Sequence, residues 1–312
     1  MRMFQEASTQ NRSDTVFKII TMGGAALILL LMIGLIIQLF NSSWMSIERF
    51  GLRFLSTNVW DPIHQIFGAA SSVYGTLVST AIAMLLALPL GILIALFLVE
   101  LLPPVISRWI GLGIELLAAI PSIIYGMWGL FVFAPFMANV VQPSLKGIFG
   151  DIGLFSGPPM GIGMLTAGII LAFMILPFVT AVVRDVFAMV PAVMKESAHG
   201  MGSTLWEVTW KVTIRYGFQG IIGAAFLGLS RAIGETMAVT FVIGNSHRIS
   251  FSLFAPGNSI TATLANEFAE ASDPLYLSAL IELGLLLFIL TFLIQIIAQL
   301  WLKRVKKSMG AQ

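Results

Sequence analysis

Residues 228–245 read GLSRAIGETMAVTFVIGN, an apolar run that carries an arginine and a glutamate and closely follows a polar loop over 184–215. Arg231 and Glu235 are four positions apart, so on a helix they lie on one face about a turn from each other and can form an ion pair. A charge at the centre of a membrane helix costs about 2.5–3.5 kcal/mol on insertion scales. No lipid-facing role offsets that cost. The pair is therefore expected to face a bundle interior or a water-filled path, and both residues are candidate functional residues.

The whole chain has the same character. Of its 312 residues 58% are hydrophobic and 10% charged, with a mean hydropathy of +0.95, where soluble domains carry about 25% charged residues. This is the composition of an integral membrane protein, and the all-α class follows from the apolar runs below. With no cysteine, the chain has no disulfide, thiolate metal site or cysteine nucleophile. His64, His199 and His247 are too widely spaced to form a local metal motif.

Six apolar runs predict six transmembrane helices, at about 19–40, 73–99, 109–137, 161–183, 218–243 and 275–302. The first is too long, and lacks a small-residue cleavage site, to be a signal peptide, so a retained anchor is expected. Six spans place both termini on one side. With the N-terminus inside, 12 Lys and Arg are cytoplasmic and four (Arg49, Arg53, Lys146, Arg248) are outside. That bias puts both ends and the 184–215 loop in the cytoplasm, with outer loops over 41–72, 138–160 and 245–274. Pro103 and Pro104 end the second span. Gly220, Ala224 and Gly228 recur every four residues and allow close helix packing, while Pro89, Pro121, Pro135 and Pro177 interrupt backbone bonding.

The polar loop reads PAVMKESAHGMGSTLWEVTWKVTIRY over 191–216. Pro191 suits the opening of a short helix. Glu196, Ala198 and Gly202 follow at the spacing E-x-A-x-x-x-G. The segment is too short and polar to span and too apolar for a free linker. It reads as helices at the membrane face, anchored by Trp206 and Trp210.

This stretch resembles the EAA loop of ABC importer permeases, with Glu196, Ser197 and Ala198 at the E-A-A positions and Gly202 at the glycine position. Ser197 replaces the middle alanine, and Arg215 stands where a proline commonly ends the motif. The EAA pattern alone does not indicate a substrate. RAIGETMAVTFVIGN at 231–245, PSIIYGMWGLFV at 121–132, LPFVTAVVRDVF at 176–187 and LFAPGNSITATLANEFAEA at 253–271 are similar to the PstC-type permease subunits of phosphate importers. That resemblance extends over about 74–302.

The resemblance implies a type I ABC importer permease architecture. Residues 1–72 would hold the N-terminal tail, first helix and outer loop, 73–302 the permease core with its coupling loop at 184–216, and 303–312 a basic cytoplasmic tail. It further implies a cell inner-membrane subunit that is not itself an enzyme and needs no cofactor or metal. Its partners would be a second homologous permease subunit, a cytoplasmic ATP-binding subunit dimer, an extracytoplasmic phosphate-binding protein and membrane lipid, with phosphate as the substrate and no nucleic acid. Glu196, Ser197, Ala198 and Gly202 would form the ATPase-coupling helix, while Arg231 and Glu235 would line the substrate path.

Alternatives stay open for several residues. The Arg231–Glu235 pair either locks the fifth span to a neighbour or presents a cation to phosphate, with Glu235 holding the guanidinium. Glu115 and Glu282 fall within expected spans, either neutral or paired with a polar group of another helix. Glu267, Glu270 and Asp273 form a solvated acidic run or lie beside a docked binding protein. Thr76, Ser79 and Thr80 are hydroxyls of an apolar helix that bond back to their own backbone. The chain has no G-x-x-x-x-G-K-[ST] for ATP, no G-x-S-x-G and no H-E-x-x-H. Energy must therefore come from a partner or a gradient. The rival functions are a permease for another oxyanion, a gradient-driven secondary carrier that uses Arg231, Glu235 and Glu282, and a membrane-embedded enzyme.

Overall fold

A computed structural model describes residues 2–150 and 152–308. Among these residues the chain is helical, with no β-sheet. Apart from single turns at Arg53–Ser56 and Gly153–Phe155, the helices are α1 (Arg2–Phe50), α2 (Ala70–Leu96, prolonged by a π-turn over Phe97–Leu101), α3 (Pro104–Ala118), α4 (Ser122–Phe149, with two π-turns), α5 (Met164–Ala188), α6 (Ala192–Gly200), α7 (Leu205–Ile233), α8 (Met237–Val242), α9 (Ile260–Glu267) and α10 (Pro274–Ser308). Six of them, α1, α2, α4, α5, α7 and α10, are long and apolar enough to cross a membrane. Residues 309–312 of the expected basic tail lie outside the described residues, as do the side chains of Arg2, Arg12, Lys306 and Lys307.

Two expected spans are corrected by residues that hydropathy averaging overlooks. The third was expected at 109–137, but the chain turns at residues 119–121 and the span runs over Ser122–Phe149. Pro121 is the cause. It lacks an N–H and disfavours helical backbone in the residue before it, so α3 becomes a separate helix. The fifth, expected at 218–243, begins at Leu205 and stops at Ile233. Arg215, unlike a proline, has an N–H to donate, and the helix continues through this point.

α5 is the axis of the fold. Two thirds of its most apolar window (67%) is buried within the chain, against none of that of α1. Ala83, Ala87 and Ala95 of α2 pack with Ile170, Leu171, Ile175 and Val179 of α5 and with Ala224 of α7 in one core cluster. With lipid tails as apolar as leucine, packing of small residues against branched ones holds such helices together. Gly220 and Gly228 serve this purpose. A Cβ on Gly220 would lie 2.4 Å from Val186, and one on Gly228 would lie 2.9 Å from Val179. What approaches them closely is thus the side chains of α5.

A second cluster of Phe54, Trp60, Phe67, Ile260, Tyr276 and Leu280 joins the α1–α2 loop to α9 and α10. Here His247 stacks on Trp60 at 5.7 Å and contacts the amide of Asn258 at 3.0 Å. Burial pushes the His247 pKa below its ordinary value, against the pull of Glu267. The Asn258 carbonyl presses so closely on Gly75 that a Cβ there would lie 1.8 Å away. This layer meets the start of α2, whereas α6 meets its end through Glu100. A helix of this length spans about 40 Å at 1.5 Å per residue, more than the hydrocarbon core. The two polar layers therefore lie on opposite sides of the membrane.

Candidate functional site

Arg231 occupies the last turn of α7, and Glu235 lies beyond its end. The helix stops at Ile233 and α8 starts at Met237, so the two residues do not share a continuous helix. No ion pair joins them. The expected i, i+4 pair is thus corrected, because the break at residues 234–236 rotates Glu235 out of register with α7. The Glu235 carboxylate accepts the Ala238 N–H at 3.1 Å, at the start of α8, and its carbonyl accepts the Thr261 hydroxyl at 2.7 Å. Glu235 fastens the break to α9.

Arg231 is exposed on the surface of the chain. Its Nε approaches the Met174 sulfur at 3.3 Å, and its guanidinium lies 5.8 Å from the centre of the Phe178 ring. No carboxylate within ion-pair distance and no oxygen acceptor meets it among the described residues. Gln219, Leu227 and Arg231 are exposed on α7 at multiples of four residues, which marks one uncovered face.

The polar segment over 191–216 folds as two helices around a tight corner. Glu196 and Ser197 of α6 are exposed, whereas Ala198 is buried, with 6% of its surface accessible. The corner explains the glycine. Gly202 has φ +87°. Its N–H donates to the His199 carbonyl at 2.9 Å, and the Ser203 N–H donates to the Ala198 carbonyl at 3.1 Å, the paired bonds of a Schellman helix stop. Thr204 and Glu207 then form a capping box that starts α7. Trp206 and Trp210 are exposed and stack at 5.9 Å.

The remaining expected residues separate by environment. Glu115 lies on α3, outside the six spans, and pairs with Arg184 at 2.7 Å. Glu282 lies on α10, beside α1 in an apolar cavity of about 770 Å³, and its Oε2 is buried without a hydrogen-bond partner. Thr76 and Ser79 bond back to the carbonyls of Ser72 and Gly75 at 2.8 and 2.7 Å, whereas the Thr80 hydroxyl, expected to do the same, is buried without a hydrogen-bond partner. Glu267 accepts the Tyr276 hydroxyl, and Asp273 accepts from Gln65 at 2.5 Å and caps Leu275 at 2.8 Å, so two of the three outer acidic residues fasten the loop. Sequence reading passed over Glu100, whose Oε1 accepts both Lys195 Nζ at 2.7 Å and Thr213 Oγ1 at 2.8 Å. Its only local signal was an acid at the end of an apolar run just ahead of two prolines.

Comparison with known proteins shows the family. Residues 87–307 match the family described as binding-protein-dependent transport system inner membrane component. The chain belongs to that family. Its similarity to individual inner membrane components extends further. It is 54% identical to the phosphate transport system permease protein PstC of Mesorhizobium japonicum, over 96% of this chain and 93% of that one. It is 49% identical to the protein of the same name from Pasteurella multocida, over 95% and 94% of the two chains. Among solved structures, an inward-facing MetNI methionine ABC transporter chain aligns with a TM-score of 0.55 and 18% identity, covering 79% of this chain and 99% of that one. The fold is thus the all-α, six-span permease fold of an ABC importer, and this inner membrane component is a multi-pass transport protein.

Proposed function

We propose that the chain is a permease subunit of an ATP-driven phosphate importer, placed in a bacterial inner membrane with both termini in the cytoplasm. Near-full-length similarity to proteins named for phosphate transport supports the substrate. The single observation that carries the anion reading is the exposed Arg231 guanidinium, which has no carboxylate partner on an uncovered face of a membrane helix. An arginine fork meets a phosphate group with two parallel hydrogen bonds, and an unpaired charge on a membrane span is expensive unless a path or partner receives it. The uncovered face of α7 would meet the second homologous permease, with the translocation path at the seam. The two subunits would rock between outward and inward openings.

α6 would dock on the cytoplasmic ATP-binding subunit dimer, with Glu196 and Ser197 presented outward and Ala198 seated against this chain. A phosphate-binding protein on the opposite side would deliver the substrate and supply selectivity. Glu235 is left with a supporting role, since it fastens the α7–α8 break.

Uptake of labelled phosphate by the assembled complex, with molybdate and sulfate as competitors, tests the substrate. Phosphate uptake that molybdate or sulfate suppresses as strongly as unlabelled phosphate does would assign the permease to another oxyanion. The excess of Lys and Arg on the α6 side supports the orientation. Ser203→Cys should be labelled by an impermeant maleimide only from the cytoplasm and Arg248→Cys only from outside. Labelling of Ser203→Cys from outside in intact cells would invert the topology. Asn258, at 2% exposure, is too buried to report on that side.

A further inference from the structure

The Glu100 carboxylate joins the end of the second span to α6 and α7, through residues 95 and 113 positions further along the chain. It lies in the π-turn that ends the second span, just before the chain extends at Leu102 and reaches Pro103. Its side chain is 9% exposed. The same oxygen, Oε1, receives Lys195 Nζ from α6 and Thr213 Oγ1 from a π-turn within α7. Thr213 is fully buried and the Lys195 side chain is 20% exposed. We infer that Glu100 and Lys195 are positioning residues for energy coupling, the link through which a displacement of α6 reaches the second membrane span.

The two faces of α6 make this arrangement directional. Glu196 is exposed on one side, while Lys195 and Ala198, three residues apart, turn toward the bundle. A force received at Glu196 leaves the helix through Lys195. Apolar contacts at such a joint slide, because dispersion is non-directional and spread over many atoms. A charged link with a second donor holds one geometry. Burial of an ion pair is often no more stabilising than apolar packing of the same volume, so stability alone does not account for a charge pair here. Both spans that the carboxylate touches carry a π-turn at the contact, a feature frequent at functional sites.

This inference rests on the proposed docking of α6 on the ATP-hydrolysing subunits. The test uses the complete transporter in proteoliposomes, with ATP hydrolysis and labelled phosphate uptake measured on the same preparation. Glu100→Gln keeps an acceptor for Thr213 and removes the charge that holds Lys195. Lys195→Met removes the other partner. Each is expected to lower phosphate transported per ATP hydrolysed by about tenfold, within the range of measured site-to-site couplings, with hydrolysis per assembled complex near wild type. The double variant is expected to assemble normally and remain uncoupled. A double variant that regains wild-type coupling would overturn the inference, since a merely structural pair is dispensable once both charges are gone. Unchanged coupling in the single variants, or uptake and hydrolysis that fall together, would also overturn it.

Failure of the underlying docking reading gives a different result. The outward-facing variant Glu196→Lys would then leave ATPase copurification intact. Glu100 variants should retain copurification in every case.

Discussion

Arg231→Gln is expected to suppress phosphate uptake by about ten- to a hundredfold, because a hydrogen bond to a charged group contributes about 1.5–3 kcal/mol. The amount of assembled complex should change little. The side chain is exposed, its contacts within the chain are a thioether and a ring face, and no carboxylate is left unpaired when it goes. Arg231→Lys should recover part of the activity, since it restores the charge without the planar fork.

The companion experiment follows from the absence of a pair. Were Arg231 and Glu235 a buried lock, each single variant would leave an uncompensated charge and the double variant would recover. The break at residues 234–236 separates them, so Arg231→Gln combined with Glu235→Gln is expected to be no better than Arg231→Gln alone. Uptake normalised to assembled complex decides between these outcomes. Near-normal uptake in Arg231→Gln would remove the pathway role, and recovery in the double variant would reinstate the pair in another conformation of the transport cycle.

Gly202→Val should be the most damaging single change in the proposed coupling segment. Left-handed backbone costs an L residue about 1–2 kcal/mol, and a β-branched side chain at positive φ is a pronounced outlier. The two bonds that stop α6 would be lost with that geometry, and Glu196 would no longer be presented at a fixed angle to α7. Insertion into the membrane should persist, while copurification of the ATP-hydrolysing subunit and phosphate-stimulated hydrolysis should fall by about tenfold or more, an expectation based on this backbone cost together with the lost helix stop.

Gly202→Asp separates backbone from partner. Apart from Gly202 and its chain neighbours, no atom of the described residues lies within 4 Å of a Cβ at Gly202, and aspartate visits left-handed geometry more readily than valine. Damage from Gly202→Asp comparable to that from Gly202→Val would therefore locate a partner surface against the corner. Wild-type copurification and hydrolysis in Gly202→Val would refute the role of the corner.

Much of this was readable from one-dimensional pattern, because membrane insertion and helix capping depend on residues close in sequence. The apolar runs locate six spans, since a hydrocarbon core accepts only helices whose backbone bonds are satisfied internally. Pro191 and the E-x-A-x-x-x-G spacing mark a short helix around Glu196, whereas the Thr204–Glu207 capping box that starts the next helix went unread and the fifth span was expected only from 218. Glu196, Ser197, Ala198 and Gly202 therefore lie where local reading placed them, on one short helix and its stop.

Other features depended on neighbours that no local window contains. Arg231 and Glu235 have the spacing of a pair, yet a paired geometry requires an unbroken helix, and the break at residues 234–236 is held by Thr261, 26 residues away. Averaged hydropathy runs across Pro121 without registering the turn before it, so α3 and α4 appeared as one span. Glu100 and Lys195 are 95 residues apart. A buried carboxylate takes whichever donors the packing of three helices brings to it, and that packing depends on side-chain shape along α2, α5 and α7 together, which no count of apolar residues encodes.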